Sequence, residues 1–116
     1  MTDPDCIFCK IIAGELPSDT VYEDDLLIAF RDINPVAPTH ILIVPRKHIV
    51  DNNAFSDEDA VIAGAMFLAV SKLAESEAIQ DSGYRLIMNT GPDGRQEVPH
   101  MHLHLIGGKQ MQHPMG

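Results

Sequence analysis

His100-Met101-His102-Leu103-His104-Leu105-Ile106 sets polar and apolar side chains in strict alternation. That two-residue period belongs to a β-strand with one buried face, and it spaces three imidazoles about 6.6 Å apart along the other. Met101, Leu103 and Leu105 then point into a core. A lone histidine on such a strand reads most simply as a partly exposed polar residue. Three in register are costly filler, because each ring nitrogen taken out of water needs a partner. Two chemistries suit the row. Alternating imidazoles can hold a catalytic metal with one ligand position open. A neutral imidazole can also act as a nucleophile near pH 7, once an acceptor on its other nitrogen fixes the tautomer.

Outward from this stretch, the strand Val98–Ile106 is preceded by a glycine-rich turn, Thr90–Arg95, whose Pro92-Asp93-Gly94 is a turn sequence in its own right. Before it lies a strand, Tyr84–Asn89. The longest regular segment is a helix over Asp57–Glu77, capped by Ser56 with Asp59 as a capping-box partner. Val61, Ala65, Leu68 and Lys72 recur there at helical spacing, as do Ile62, Met66, Ala69 and Leu73. His40–Val44 is a β-branched strand stopped by Pro45, and Asn34–Pro38 is a loop. Thr20–Glu23 and Leu26–Arg31 are strands around the turn Asp24-Asp25. Residues 7–13 form a short helix ended by Gly14 and Pro17. The order β-β-β-α-β-β predicts an α+β architecture: a mostly antiparallel five-stranded sheet, one long helix and one short one, with the helices on one face. No repeat or linker interrupts the chain, which reads as a single domain over 1–116.

The length of 116 residues suffices for one core without disulfide staples, and 45% apolar with 22% charged residues is the composition of a folded domain. Eight basic against seventeen acidic residues give a net charge of −9, which argues against nucleic acid or an anionic membrane as partner. No apolar run is long enough to span a bilayer. The acidic start, Met1–Asp5, lacks a secretory n-region, and only two cysteines occur. A cytoplasmic location is the expectation.

The triad string, followed by Gly107-Gly108-Lys109-Gln110-Met111, resembles the histidine-triad (HIT) superfamily, most closely its Hint branch of nucleotide-binding phosphoramidases. Matching blocks span nearly the whole chain: Ile7–Ile12, Tyr22–Asp25, Phe30–Ile33, Pro38-Thr39-His40, Val44–His48 and Asn89-Thr90-Gly91. The resemblance implies a HIT-like fold. It also implies a nucleotide-binding hydrolase that cleaves purine nucleoside 5′-phosphoramidates through a covalent nucleotidyl-histidine. By that likeness His102 is the nucleophile, His104 contacts phosphate oxygens, His40 supports the triad, and His100 serves the relay or a metal. Asn89 and Gln96 match phosphate-side contacts, and Asp32 matches the carboxylate that accepts from ribose hydroxyls. Ile7, Phe8, Ile11, Phe30 and Ile33 match the apolar purine slot, where plain core packing is the competing account. The likeness also implies a homodimer, for whose interface the helix Asp57–Glu77 and the strand Tyr84–Asn89 are the candidates. Two other functions share the same pocket: a dinucleoside polyphosphate hydrolase of the superfamily, and a nucleotide-binding module without turnover.

Cys6 and Cys9 form a C-x-x-C pair. Five preceding residues leave no strand for a thioredoxin-like redox site, and a cytosolic disulfide is rare. The pair stands either as two reduced buried thiols or as half of a zinc site, which then needs histidines, since no other cysteine exists. In zinc-containing members of the superfamily, the histidine of the Pro-x-x-His block and the first triad histidine complete it. Those positions match His48 and His100, giving a structural zinc on Cys6, Cys9, His48 and His100. Three positions depart from the Hint pattern: Glu97 stands where serine is usual, Arg95 where glycine is usual, and His113 where the tail has tryptophan.

Overall fold

The computed structural model describes residues 3–116; Met1 and Thr2, part of the acidic start, lie outside them. The chain begins with α1 (Ile7–Ile12), capped by Cys6 and ended at Gly14, whose φ of +79° is a conformation that favours glycine. Strands β1 (Thr20–Glu23), β2 (Leu27–Arg31) and β3 (Thr39–Pro45) follow as a meander, then α2 (Ala60–Ser76), β4 (Tyr84–Ile87) and β5 (Leu103–Gly107). All pairings are antiparallel, in the order β1-β2-β3-β5-β4.

A short 3₁₀ turn, Asp57–Asp59, leads into α2, so the predicted helix is regular α only from Ala60. The Ser56 backbone N–H donates to the Asp59 carboxylate at 3.0 Å, the reciprocal half of the expected capping box. Lys47 holds the same carboxylate at 2.7 Å, which ties the start of α2 to the segment after β3.

Alternation divides the sheet between two cores. Leu27 and Ala29 of β2, Ile41 and Ile43 of β3, and Leu103 and Leu105 of β5 pack with Met66, Ala69, Val70 and Leu73 of α2. The residues between them, Ile28, Phe30, Leu42 and Val44, pack instead with Cys6, Phe8 and Cys9. The expectation of both helices on one face is therefore corrected: α2 covers one face and α1 the other. The sequence pattern hides this because β3 is buried at every position, on both sides of the pleat.

The last strand is also shorter than expected. Pairing with β3 begins at Leu103 and with β4 at His104, not at Val98. Pro99 has no N–H to give, His100 N–H donates to the Val98 carbonyl, and the Met101 N–H donates out of the sheet to the Ile49 carbonyl at 2.7 Å. The alternation of side chains nonetheless persists through this irregular stretch. Met101 is in the α2-side core, while His100 and His102 lie against Phe8 on the other side. Among the described residues no helix is long and apolar enough to cross a membrane.

Candidate active site

The α1 face of the sheet carries two adjoining features, a cavity and a cluster of metal-ligand side chains. The cavity, about 690 Å³, is lined by Ile7 and Phe8 of α1, Phe30 of β2, Asp32 and Ile33 after it, His40 and Leu42 of β3, His104 of β5, His102, and Asn89. Arg31, Asn34, Val36, Arg95, Glu97 and Val98 complete the lining. Its size is that of a small-molecule site. A second cavity of about 760 Å³ lies on the α2 side of the sheet, against Thr39 and Glu77. It contains no histidine, and its Glu77 carboxylate accepts from both terminal guanidinium nitrogens of Arg31, Nη1 and Nη2, at 2.8 Å.

The hydrogen bonds assign every tautomer in the row. His102 Nδ1 donates to the His100 carbonyl at 2.8 Å, so its Nε2 keeps the lone pair. The Val36 N–H donates to His40 Nδ1 at 3.2 Å, which makes His40 Nε2 the protonated nitrogen. That N–H donates to His104 Nδ1 at 2.9 Å, with the Asp32 carboxylate 3.4 Å from the same nitrogen. His104 Nε2 is then the protonated nitrogen, a donor. The row thus contains one basic nitrogen and one N–H in adjacent rings, whose centroids are 5.0 Å apart.

Burial keeps these rings neutral. It pushes His104 down to about 4, helped by the neighbouring His102 and His40. His40 is also lowered by burial, with the Asp32 carboxylate pulling the other way. His102 is lowered by burial too, against its bond to the His100 carbonyl and the charges of Asp32 and Glu97. Phe8 meets His102 edge-on at 5.1 Å and shields that ring from water.

Cys6, Cys9, His48 and His100 bring four ligand atoms within 4.8 Å of one another. Cys6 Sγ and His100 Nδ1 are 3.3 Å apart, Cys9 Sγ and His48 Nδ1 3.3 Å, Cys9 Sγ and His100 Nδ1 3.6 Å, and the two Nδ1 atoms 3.1 Å. Tetrahedral zinc bonded at about 2.3 Å to sulfur and 2.1 Å to nitrogen sets donors about 3.4–3.8 Å apart, close to this arrangement. The donor chemistry fits as well. His100 Nε2 donates to the Pro45 carbonyl at 2.8 Å, leaving the Nδ1 lone pair directed at the cluster. Backbone N–H groups of Cys9 and Asp3 point at the two sulfurs. Burial pushes the Cys6 thiol up, so binding a cation there would release protons.

Most of the residues expected at the site meet on this face, but three of those expected to serve the nucleotide do not line the cavity: His100, which turns its ring to the cysteine pair, Ile11 and Gln96. Ile11 packs against the apolar cluster beneath α1. Gln96 spends its amide on the backbone: Nε2 donates to the Val50 and Val98 carbonyls at 2.7 and 3.1 Å, and Oε1 accepts from Gly91 at 3.1 Å. Asn89 lines the cavity while its Nδ2 donates to the Gly94 carbonyl at 2.7 Å. A side chain at Gly94 would collide with the Thr90 carbonyl, so the turn admits no other residue there without moving. Val36 was not anticipated. Its N–H fixes the His40 tautomer, and a backbone donor in an irregular loop leaves no mark in the residue pattern.

An antiparallel α+β sheet carrying neutral imidazoles over a cavity of small-molecule size is a histidine-based small-molecule site. The model of the HIT domain matches residues 13–111, and the chain belongs to that family. It is 54% identical over 105 residues, 90% of this chain and 88% of the other, to the purine nucleoside phosphoramidase of Escherichia coli K12. It is 47% identical to a 14 kDa zinc-binding protein of Zea mays, covering 100% of this chain and 91% of that one. Among solved structures, a HIT family hydrolase from Legionella pneumophila superposes with a TM-score of 0.93 at 48% identity, over 97% of this chain and 100% of that one.

The neutral rings predict an acid limb in stability. Unfolded histidine titrates near 6.5, whereas His104 in the fold titrates at about 4. Between those values the unfolded chain binds more protons, so stability is complete above about pH 6.5 and is lost as pH falls towards 4. Urea unfolding across this window should show that slope, flattened in His104→Gln. An identical slope in the variant would refute the assignment.

Proposed function

We propose that the cavity hydrolyses the P–N bond of purine nucleoside 5′-phosphoramidates. The observation that carries this reading is the tautomer of His102, whose Nε2 lone pair is held ready by the bond from Nδ1 to the His100 carbonyl. The 54% identity to the E. coli phosphoramidase supports it.

In this reading the purine lies among Ile7, Phe8, Phe30 and Ile33, and the Asp32 carboxylate accepts from the ribose hydroxyls. His102 Nε2 attacks the α-phosphorus. The P–N bond breaks with its electron pair going to the amine nitrogen, which takes a proton from solvent at the open mouth and departs as the amine. The nucleotidyl-imidazole carries positive charge, and the His100 carbonyl on Nδ1–H stabilises it. His104 Nε2–H donates to a phosphoryl oxygen as charge develops, with its ring held by the His40 N–H. Water then attacks phosphorus, its proton passing to solvent at the open mouth; the P–N(His102) bond breaks, its electron pair returns to Nε2, and AMP is released. Asn89 contacts the phosphate side, and Gln96 acts there by holding the loop that carries its neighbours.

Cys6, Cys9, His48 and His100 would hold a structural zinc, which supplies no bond-making chemistry but fixes His100. The 47% identity to a zinc-binding protein supports this. A homodimer completes the reading. Val61, Phe67 and Leu68 expose 64%, 61% and 66% of their surface on α2, and β4 is an edge strand on which a second copy could continue the sheet.

Incubation with an adenosine phosphoramidate should release AMP, and His102→Ala should slow this by more than about a thousandfold. An unchanged rate would remove His102 as nucleophile. Tight AMP binding without turnover would favour a binding module, and preference for diadenosine polyphosphates the other hydrolase class. Protein purified without chelator should contain about one zinc per chain by elemental analysis, reduced along with thermal stability in Cys9→Ser. Metal-free wild type would contradict the zinc site. Sedimentation should report a dimer that Leu68→Glu dissociates, and a monomeric wild type at micromolar concentration would exclude it.

A further inference from the structure

The strand order divides the cavity laterally. Phe30 and the Asp32–Ile33 corner sit at the β2 side, His40 and Leu42 on β3, His104 on β5, and Asn89 follows β4 at the far side. The loop after β4 brings Arg95 and Glu97 into the lining. A nucleoside seated among Ile7, Phe8, Phe30 and Ile33 directs the group leaving from phosphorus towards that loop.

The loop is braced to hold a fixed shape. Asn89 and Gln96 bond its backbone at both ends, Gly94 packs against Thr90, and Arg95 takes a positive φ of +62°. Ordinary residues adopt that conformation at a cost, and the surrounding bonds impose it here. Glu97 therefore faces the cavity from a rigid support.

A carboxylate is an anomaly in a cavity that receives a phosphoryl group. Two of the other charges there have counterparts: Arg31 is held by Glu77 and Asp32 lies beside the His40 N–H, whereas Arg95 makes no side-chain hydrogen bond or ion pair among the described residues. Among the described residues Glu97 makes no hydrogen bond or ion pair, and its charge is felt at His102. It lines the cavity on the side away from Phe30 and Ile33, and a cation that arrives with the substrate would answer it.

We propose that Glu97 selects phosphoramidates whose amine portion carries a second positive charge, such as a nucleotide joined to one end of a diamine. This rests on the phosphoramidase reading. The ammonium pairs with Glu97 while the P–N bond lies in reach of His102. An uncharged amine lacks the contact, and an amine bearing a carboxylate is repelled. The pair forms at a partly solvated rim, so it is worth about fivefold in kcat/KM and weakens with salt.

The test compares three AMP phosphoramidates, made with butylamine, putrescine and γ-aminobutyrate. At low salt the putrescine conjugate should exceed the butyl conjugate by about fivefold in kcat/KM, and the γ-aminobutyrate conjugate by about twentyfold. The difference should fall in KM, because the ammonium is held equally before and during the chemical step. Glu97→Gln should bring the three values together, and Glu97→Lys should reverse their order. A purely structural role for Glu97 would change all three rates alike. Equal rates in the wild type, or a preference that survives both substitutions, would overturn the assignment. No AMP release from any conjugate would overturn the phosphoramidase reading, and this inference with it.

Discussion

The short bond from His102 Nδ1 to the carbonyl of His100 is the constraint on which the site depends. Without it the ring could present either nitrogen to the cavity, and only one arrangement leaves a lone pair there. The same residue that supplies the carbonyl is anchored through its own ring, to the Pro45 carbonyl on one side and to the cysteine pair on the other. His100 therefore links the N-terminal segment, the end of β3 and His102. Its side chain is fully buried, although its backbone lies outside any strand.

A second chain of bonds performs the same service for His104. It begins at a main-chain N–H, that of Val36, and passes through His40. Both rings are thus set by backbone groups, one acceptor and one donor. This explains how a chain with net charge −9 can offer a phosphate site. The cavity draws on oriented dipoles and neutral N–H donors, which keep their direction whatever the sign of the outer surface.

Much of this was legible in the residues. The alternation from His100 to Ile106 disclosed which side chains share a face, and the turn residues around Gly14, Asp24, Pro45 and Pro92 separated the elements. The burial of Met101, Leu103 and Leu105 followed from period alone. Periodicity could not tell that β5 begins only at Leu103, because alternation of side chains survives where the ladder is absent. Nor could it place α1 opposite α2, since a strand buried on both sides carries no preference for either. The tautomers, the Val36 donor and the bracing duty of Gln96 all involve main-chain atoms, which every residue type carries alike.

From Met101 to Ile106 no position is spare: alternate residues fill the core against α2, and those between them form the histidine row or lie buried beside it. A substitution there is answered at once by packing or by chemistry. Descendants of such a chain cannot acquire new preferences along the strand that does the work. The positions freer to change are the exposed ones in the turn between Thr90 and Val98, Arg95 and Glu97, which line the cavity yet owe little to the core. The fold thereby separates what is inherited from what is free to diverge, a few ångströms apart.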